Sequence, residues 1–272
     1  MSRLAACFES LARDGDGALI VFLVAGHPDP QACSDLLLAV ADAGADIIEL
    51  GIPFSDPLAD GPVIQAASQR ALAEAVTPAD VLEMAAAFRS KREVPLVLMT
   101  CYNPIWQFGV EAFAQAAAAK GVDGVIVTDL PPEEAEEWVE AARARELDVI
   151  FLLAPTSPAQ RVRKVVDLAS GFVYCVSRMG VTGARDELPA DLGALVQRIR
   201  AHTEKPVAVG FGVSRPEHVA EVCQIADGAV VGSAVVSLVE REQDSAGLTA
   251  QVKEFVGHLK AATRGKRPVD AR

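Results

Sequence analysis

Eight short, unbroken apolar runs recur along the chain, and that recurrence leaves few folds open. They lie at 18–24 (ALIVFLV), 46–51, 95–100 (PLVLMT), 124–128 (GVIVT), 148–153 (DVIFLL), 171–176 (GFVYCV), 206–210 (PVAVG) and 228–231 (GAVV). A strand that does not alternate polar with apolar residues must be covered on both faces, which calls for a parallel sheet wrapped by helices. Segments with helical spacing fill the intervals, at 30–43, 62–74, 78–90, 110–120, 132–145, 158–169, 190–202 and 215–225. An amphipathic helix at 2–13 opens the chain and another at 247–263 closes it. Eight strand–helix units in about 250 residues fit a closed (β/α)8 barrel, a TIM barrel with an extra N-terminal helix, better than an open doubly wound sheet. No linker interrupts the pattern, so we expect one domain over 1–264 and a disordered basic tail over 265–272.

Composition removes several classes of function. A formal net charge of −12 disfavours nucleic acid or an anionic membrane surface as partner. No apolar stretch approaches a membrane span, and residues 1–17 lack the apolar core of a signal peptide. Five scattered cysteines without a CxxC pair fit a reducing compartment, hence a cytoplasmic protein, and four scattered histidines offer no metal cluster.

One carboxylate interrupts the second run. Glu49 lies between Ile48 and Leu50 and shares its strand face with Ile47 and Gly51. It is either a buried acid satisfied by a neighbouring donor or a proton-transfer group whose pKa desolvation has raised. Eleven positions on, Asp60 precedes Gly61-Pro62 in a proline-rich loop. Alone it reads as a cap for the next helix; with Glu49 it supplies a second acid in a different environment, the arrangement that separates an acid from a base. Glycines then collect after the last three strands, in Gly180-Val181-Thr182-Gly183, Gly210-Phe211-Gly212 and Gly232-Ser233. Barrels bind phosphate with such loops, through bare backbone amides at helix N-termini. No lysine is placed for a Schiff base, and no GxSxG elbow occurs. What remains is proton transfer by carboxylates on a small phosphorylated molecule.

The segments LGIPFSDPLADGPVIQ (50–65), LMTCYNP (98–104), VTDLPPEEA (127–135), SRMGVTGAR (177–185), VGFGVS (209–214) and VGSAVV (231–236) resemble the tryptophan synthase alpha chain, over roughly residues 4–263. The resemblance implies retro-aldol cleavage of indole-3-glycerol phosphate to indole and glyceraldehyde 3-phosphate. It implies Glu49 as the acid/base and Asp60 as the carboxylate facing the indole N–H. Phe22, Met99, Ile126, Leu152, Tyr174 and Phe211 would surround the indole, and Gly183, Gly212, Gly232 and Ser233 would contact the phosphate. Thr182 would sit on a lid closing against Asp60. Pro53 and Asp56 would face a tryptophan synthase beta chain in an alpha2-beta2 heterotetramer. That partner would carry the pyridoxal phosphate, leaving this chain with no cofactor. Two positions depart from the family's usual residues: Val24 replaces a threonine near Glu49, and Cys101 replaces a tyrosine. A stand-alone lyase releasing free indole is the alternative, and a non-catalytic regulatory subunit a further one that intact Glu49 and Asp60 oppose.

Overall fold

The structure, a computed structural model, describes residues 1–177, 189, 191–210, 212–242 and 246–265. Its strands are β1 (Ala18–Val24), β2 (Ile47–Gly51), β3 (Leu96–Thr100), β4 (Gly124–Val127), β5 (Asp148–Ile150), β6 (Leu152–Leu153), β7 (Val173–Val176), β8 (Val207–Gly210) and β9 (Gly228–Val231). All pair in parallel, in the order β5-β4-β3-β2-β1-β9-β8-β7-β6. β5 and β6 are the two halves of the fifth apolar run, parted at Phe151. The Phe151 carbonyl still accepts the Tyr174 N–H at 3.1 Å, so the chain itself closes the ring. The expected eight-stranded parallel barrel is the fold that forms.

Around it run α1 (Arg3–Asp14), α2 (Pro30–Asp42), α3 (Pro62–Ala73), α4 (Pro78–Arg89), α5 (Tyr102–Phe108), α6 (Val110–Ala119), α7 (Glu136–Arg143), α8 (Ala159–Leu168), α9 (Leu192–Arg200), α10 (Pro216–Ile225), α11 (Ser233–Glu242) and α12 (Leu248–Ala261). Two of these, α5 and α11, were not among the helices expected from sequence. α7 also begins later than expected, because Pro131-Pro132 forms a turn in which Glu134 N–H reaches the Pro131 carbonyl at 3.0 Å. The tail expected to be disordered lies, beyond Gly265, outside the described residues.

Inward-facing side chains fill the barrel. Ile20, Ile47, Val97, Ile126, Ile150, Tyr174, Ala208 and Val230 form one buried cluster with Leu4 and Phe8 of α1. Ser2 caps α1 by accepting the Ala5 N–H at 3.2 Å, and the helix lays Leu4 and Phe8, one turn apart, across the barrel floor. Phe8 meets the Phe172 ring at 5.7 Å. The floor is therefore stoppered, and only the end where the strands finish is open.

At the floor one hydrogen-bond device occurs four times. Asp46, Asp123, Ser170 and Asp227 each stand just ahead of an even-numbered strand of the eight. Their side chains accept the N–H of Leu19, Leu96, Val149 and Val207 at 2.7, 2.8, 2.8 and 2.9 Å. Each returns its own N–H to the carbonyl of that same residue, at 2.9, 2.9, 2.8 and 2.7 Å. Cations brace the three carboxylates: Lys260 on Asp46, Arg3 and Arg89 on Asp123, and Arg200 on Asp227. Each clasp fixes the register of two adjacent strands, and register decides which side chains face inward.

Candidate active site

Register brings Glu49 inside the barrel, level with Phe22 on one side and Val97 on the other. Its side chain is fully buried, and neither carboxylate oxygen has a hydrogen-bond partner among the described residues. Burial alone pushes its pKa up to about 8. The bland reading of Glu49, an acid satisfied by a neighbouring donor, is thereby set aside. Tyr174 is also buried; its pKa lies well above the ordinary value, through burial first and the nearby Glu49 charge second.

After β2 the chain turns through a compact loop. Leu58 N–H reaches the Asp56 carbonyl at 2.9 Å, and Asp60 N–H the Pro57 carbonyl at 3.1 Å. The Gln65 side chain, from the first turn of α3, donates to the Asp60 carbonyl at 2.9 Å. Backbone and helix thus hold Asp60 in place while its carboxylate stays half-buried at the barrel mouth. Burial raises that carboxylate to about 6. Two acids in two environments now face one cavity.

That cavity, about 490 Å³ with its open mouth, is lined by Phe22, Glu49, Asp60, Ile64, Met99 and Tyr174, and at its far end by Gly212, Val213, Ser214, Gly232, Ser233 and Ala234. Gly210 makes room for Tyr174, since a Cβ there would strike the Tyr174 hydroxyl. Gly212 takes φ +91° and has open space where a side chain would be, so its backbone is bare toward the cavity. Beside it α11 starts: Val235 and Val236 donate to the Gly232 carbonyl at 2.9 and 3.0 Å, and the residues opening the helix line the cavity. A helix N-terminus beside glycine backbone is suited to an anion.

The structure therefore gathers Glu49, Asp60, Phe22, Met99, Tyr174, Gly212, Gly232 and Ser233 at one place. Ile126 and Leu152 are not among the lining residues; they lie in the barrel interior as register partners of Met99 and Tyr174. Thr182, Gly183 and Phe211 lie outside the described residues. Pro53 is buried within its own chain, whereas Asp56 is exposed. Sequence reasoning missed Ile64, although it follows Asp60 by one helical turn, and Val213 and Ser214, which belong to the quoted VGFGVS segment.

The model of the tryptophan synthase alpha chain family matches residues 8–264. The chain belongs to that family. A tryptophan synthase alpha chain of Geobacter sulfurreducens is 50% identical over 262 residues, covering 96% of this chain and 99% of that one. One from Solibacter usitatus is 48% identical over 260 residues, covering 96% and 97%. A solved structure of Mycobacterium tuberculosis tryptophan synthase superposes with a TM-score of 0.90 at 40% identity, covering 97% of this chain and 99% of the other. The two residues expected to replace a threonine and a tyrosine of the family fall in one place. Val24 and Cys101 line a second cavity, about 340 Å³ with its opening to solvent, that also borders Asp60. Val24 brings no hydroxyl to the Glu49 strand, and the Cys101 thiol, 3.6 Å from the Thr128 hydroxyl, is raised by burial to about 11.

Proposed function

We infer that the chain is the alpha subunit of a tryptophan synthase, a lyase that cleaves indole-3-glycerol phosphate to indole and D-glyceraldehyde 3-phosphate in L-tryptophan biosynthesis. One observation carries the mechanism: an unpartnered buried glutamate and a half-buried aspartate share a cavity that ends in bare amides. The Gly212 and Gly232–Ser233 end would hold the phosphate. That anchor would lay the indole against Phe22, Met99 and Tyr174.

Near neutral pH Glu49 is protonated and Asp60 ionised, as values of about 8 and about 6 dictate. Glu49 gives its proton to indole C3. The ring becomes cationic, and Asp60 accepts the N–H hydrogen bond that stabilises it. The glycerol hydroxyl next to the ring then returns a proton to Glu49 as the C–C bond breaks and the aldehyde forms. Glu49 ends as it began, and the indole ring itself holds the charge, so no Schiff base or bound cofactor enters.

A beta-chain partner in an alpha2-beta2 assembly fits the mouth of the barrel. Leu58, 86% exposed, and Trp106, 60% exposed, stand on the loop after β2 and on α5 after β3, beside exposed Asp56. Large apolar side chains left in solvent at an active-site rim favour a docked subunit over a stand-alone lyase. We place this assembly in the cytoplasm; no helix among the described residues is long and apolar enough to cross a membrane. The test is release of indole from indole-3-glycerol phosphate, measured with and without a beta chain. Cleavage with strong stimulation by the beta chain supports the reading. No cleavage in either condition overturns it, and full activity of the chain alone favours the stand-alone alternative.

A further inference from the structure

One buried polar side chain stands behind the anion end and has no part in the chemistry above. His218, the third residue of α10, is only 2% exposed and does not line the cavity. Its Nδ1 lies 3.4 Å from both the backbone nitrogen and the hydroxyl of Ser214, and its Nε2 lies 3.1 Å from the Arg215 guanidinium. A neutral imidazole has one donor and one acceptor nitrogen. With the proton on Nε2, Nδ1 accepts from the Ser214 N–H or O–H. With the proton on Nδ1, it donates to the Ser214 hydroxyl while Nε2 accepts from Arg215. Either tautomer ties the ring to Ser214.

Ser214 closes the turn that brings Gly212 and Val213 to the cavity wall. Among the described residues, the hydrogen bonds that reach Gly212, Val213 or Ser214 come from His218 alone. Gly212, at φ +91° and without a side chain, has nothing of its own to hold it. We propose that His218 is a positioning residue for phosphate binding, pinning the 212–214 turn so that the bare Gly212 backbone is in place before the anion arrives. The inference rests on the function proposed above and deepens its phosphate site. A wall set in advance spares the ordering cost of binding, and a ring that touches neither indole nor the breaking bond acts on affinity and not on turnover.

The experiment compares His218→Leu, which has no polar side-chain atom, with His218→Asn, whose amide puts a donor or an acceptor where Nδ1 stood. Cleavage of indole-3-glycerol phosphate is followed with a beta chain present. His218→Leu is expected to raise KM about five- to tenfold with kcat within about twofold, and His218→Asn to restore KM to within about twofold of the parent. In His218→Leu the inhibition constant of inorganic phosphate should rise in step with KM, while that of indole, which carries no phosphate, stays put. An unchanged KM, an equal loss of indole affinity, a fall in kcat in place of a rise in KM, or Leu and Asn variants that behave alike overturns the inference and leaves the lyase reading standing. Should His218→Leu fail to fold, the parent decides: saturating inorganic phosphate should shift the imidazole nitrogen resonances of His218, and unmoved resonances overturn the inference. If the parent itself does not cleave indole-3-glycerol phosphate, it is the lyase reading that falls.

Discussion

At the scale of single residues, the site is an exercise in unequal desolvation. Glu49 keeps a proton because water is absent, and Asp60 loses one because water is near. Glu49→Gln and Asp60→Asn should each lower kcat by about 10² to 10⁴ with an unchanged circular dichroism spectrum. For the parent enzyme, kcat/KM should rise as Asp60 ionises near pH 6 and fall as Glu49 deprotonates near pH 8. A flat profile across that range would remove both acids from the mechanism. The same burial has a stability consequence of definite sign. Between about 4.5 and 8 the folded chain binds a proton that the unfolded chain has released, so stability falls as pH rises through that window. Denaturant titrations should find a loss on the order of a few kcal/mol between pH 5 and 9 that Glu49→Gln largely abolishes. Glu49 was legible in the sequence because a lone acid in an apolar run has few structural excuses. Ile126 and Leu152 mark the limit of the sequence: an apolar side chain looks the same whether it faces a ligand or a neighbour, and register is what places these two in the barrel interior.

At the scale of elements, helix ends and strand starts divide the labour. The opening residues of α11 and the Gly212 turn make the anion end. Ser233→Asp should therefore raise KM at least tenfold with little change in kcat, by setting a fixed charge against the phosphate. Steady-state kinetics decide it, and an unchanged KM would move the phosphate elsewhere. α11 escaped the sequence reading because its SAVVSLVERE run follows the last strand without a break and is rich in β-branched residues. At the opposite face, removing an aspartate clasp takes the carboxylate from a largely buried cation. Asp123→Ala leaves Arg89, whose side chain is only 12% exposed, chiefly the Gly121 and Arg92 carbonyls, and frees the Leu96 N–H; thermal or urea unfolding should reveal a loss of about 3 kcal/mol. None of the four clasps was visible from sequence, since an aspartate or serine before a strand also reads as an ordinary turn residue.

At the scale of the whole molecule, the barrel was the most legible feature, because eight apolar runs of that length admit little else. The split of the fifth strand at Phe151 was not, since it leaves no compositional trace. Its rim carries Trp106 and Leu58 into solvent, and Trp106→Glu should weaken beta-chain binding by about 2 kcal/mol, roughly thirtyfold in Kd, while sparing cleavage by the isolated chain. Calorimetric titration of the variant with a beta chain checks this. The floor has a different legacy. Its clasps join residues only 27, 27, 21 and 20 positions apart, so each is settled within one pair of neighbouring strands. Assembly can then proceed as four short-range hairpin-sized decisions followed by docking, which spares a large parallel fold much of the loop-closure entropy that slows such topologies. The seams between those quarters, at 90–95, 143–147 and 201–205, are where a gene for this enzyme could be cut and rejoined in a new order with every quarter's internal wiring intact.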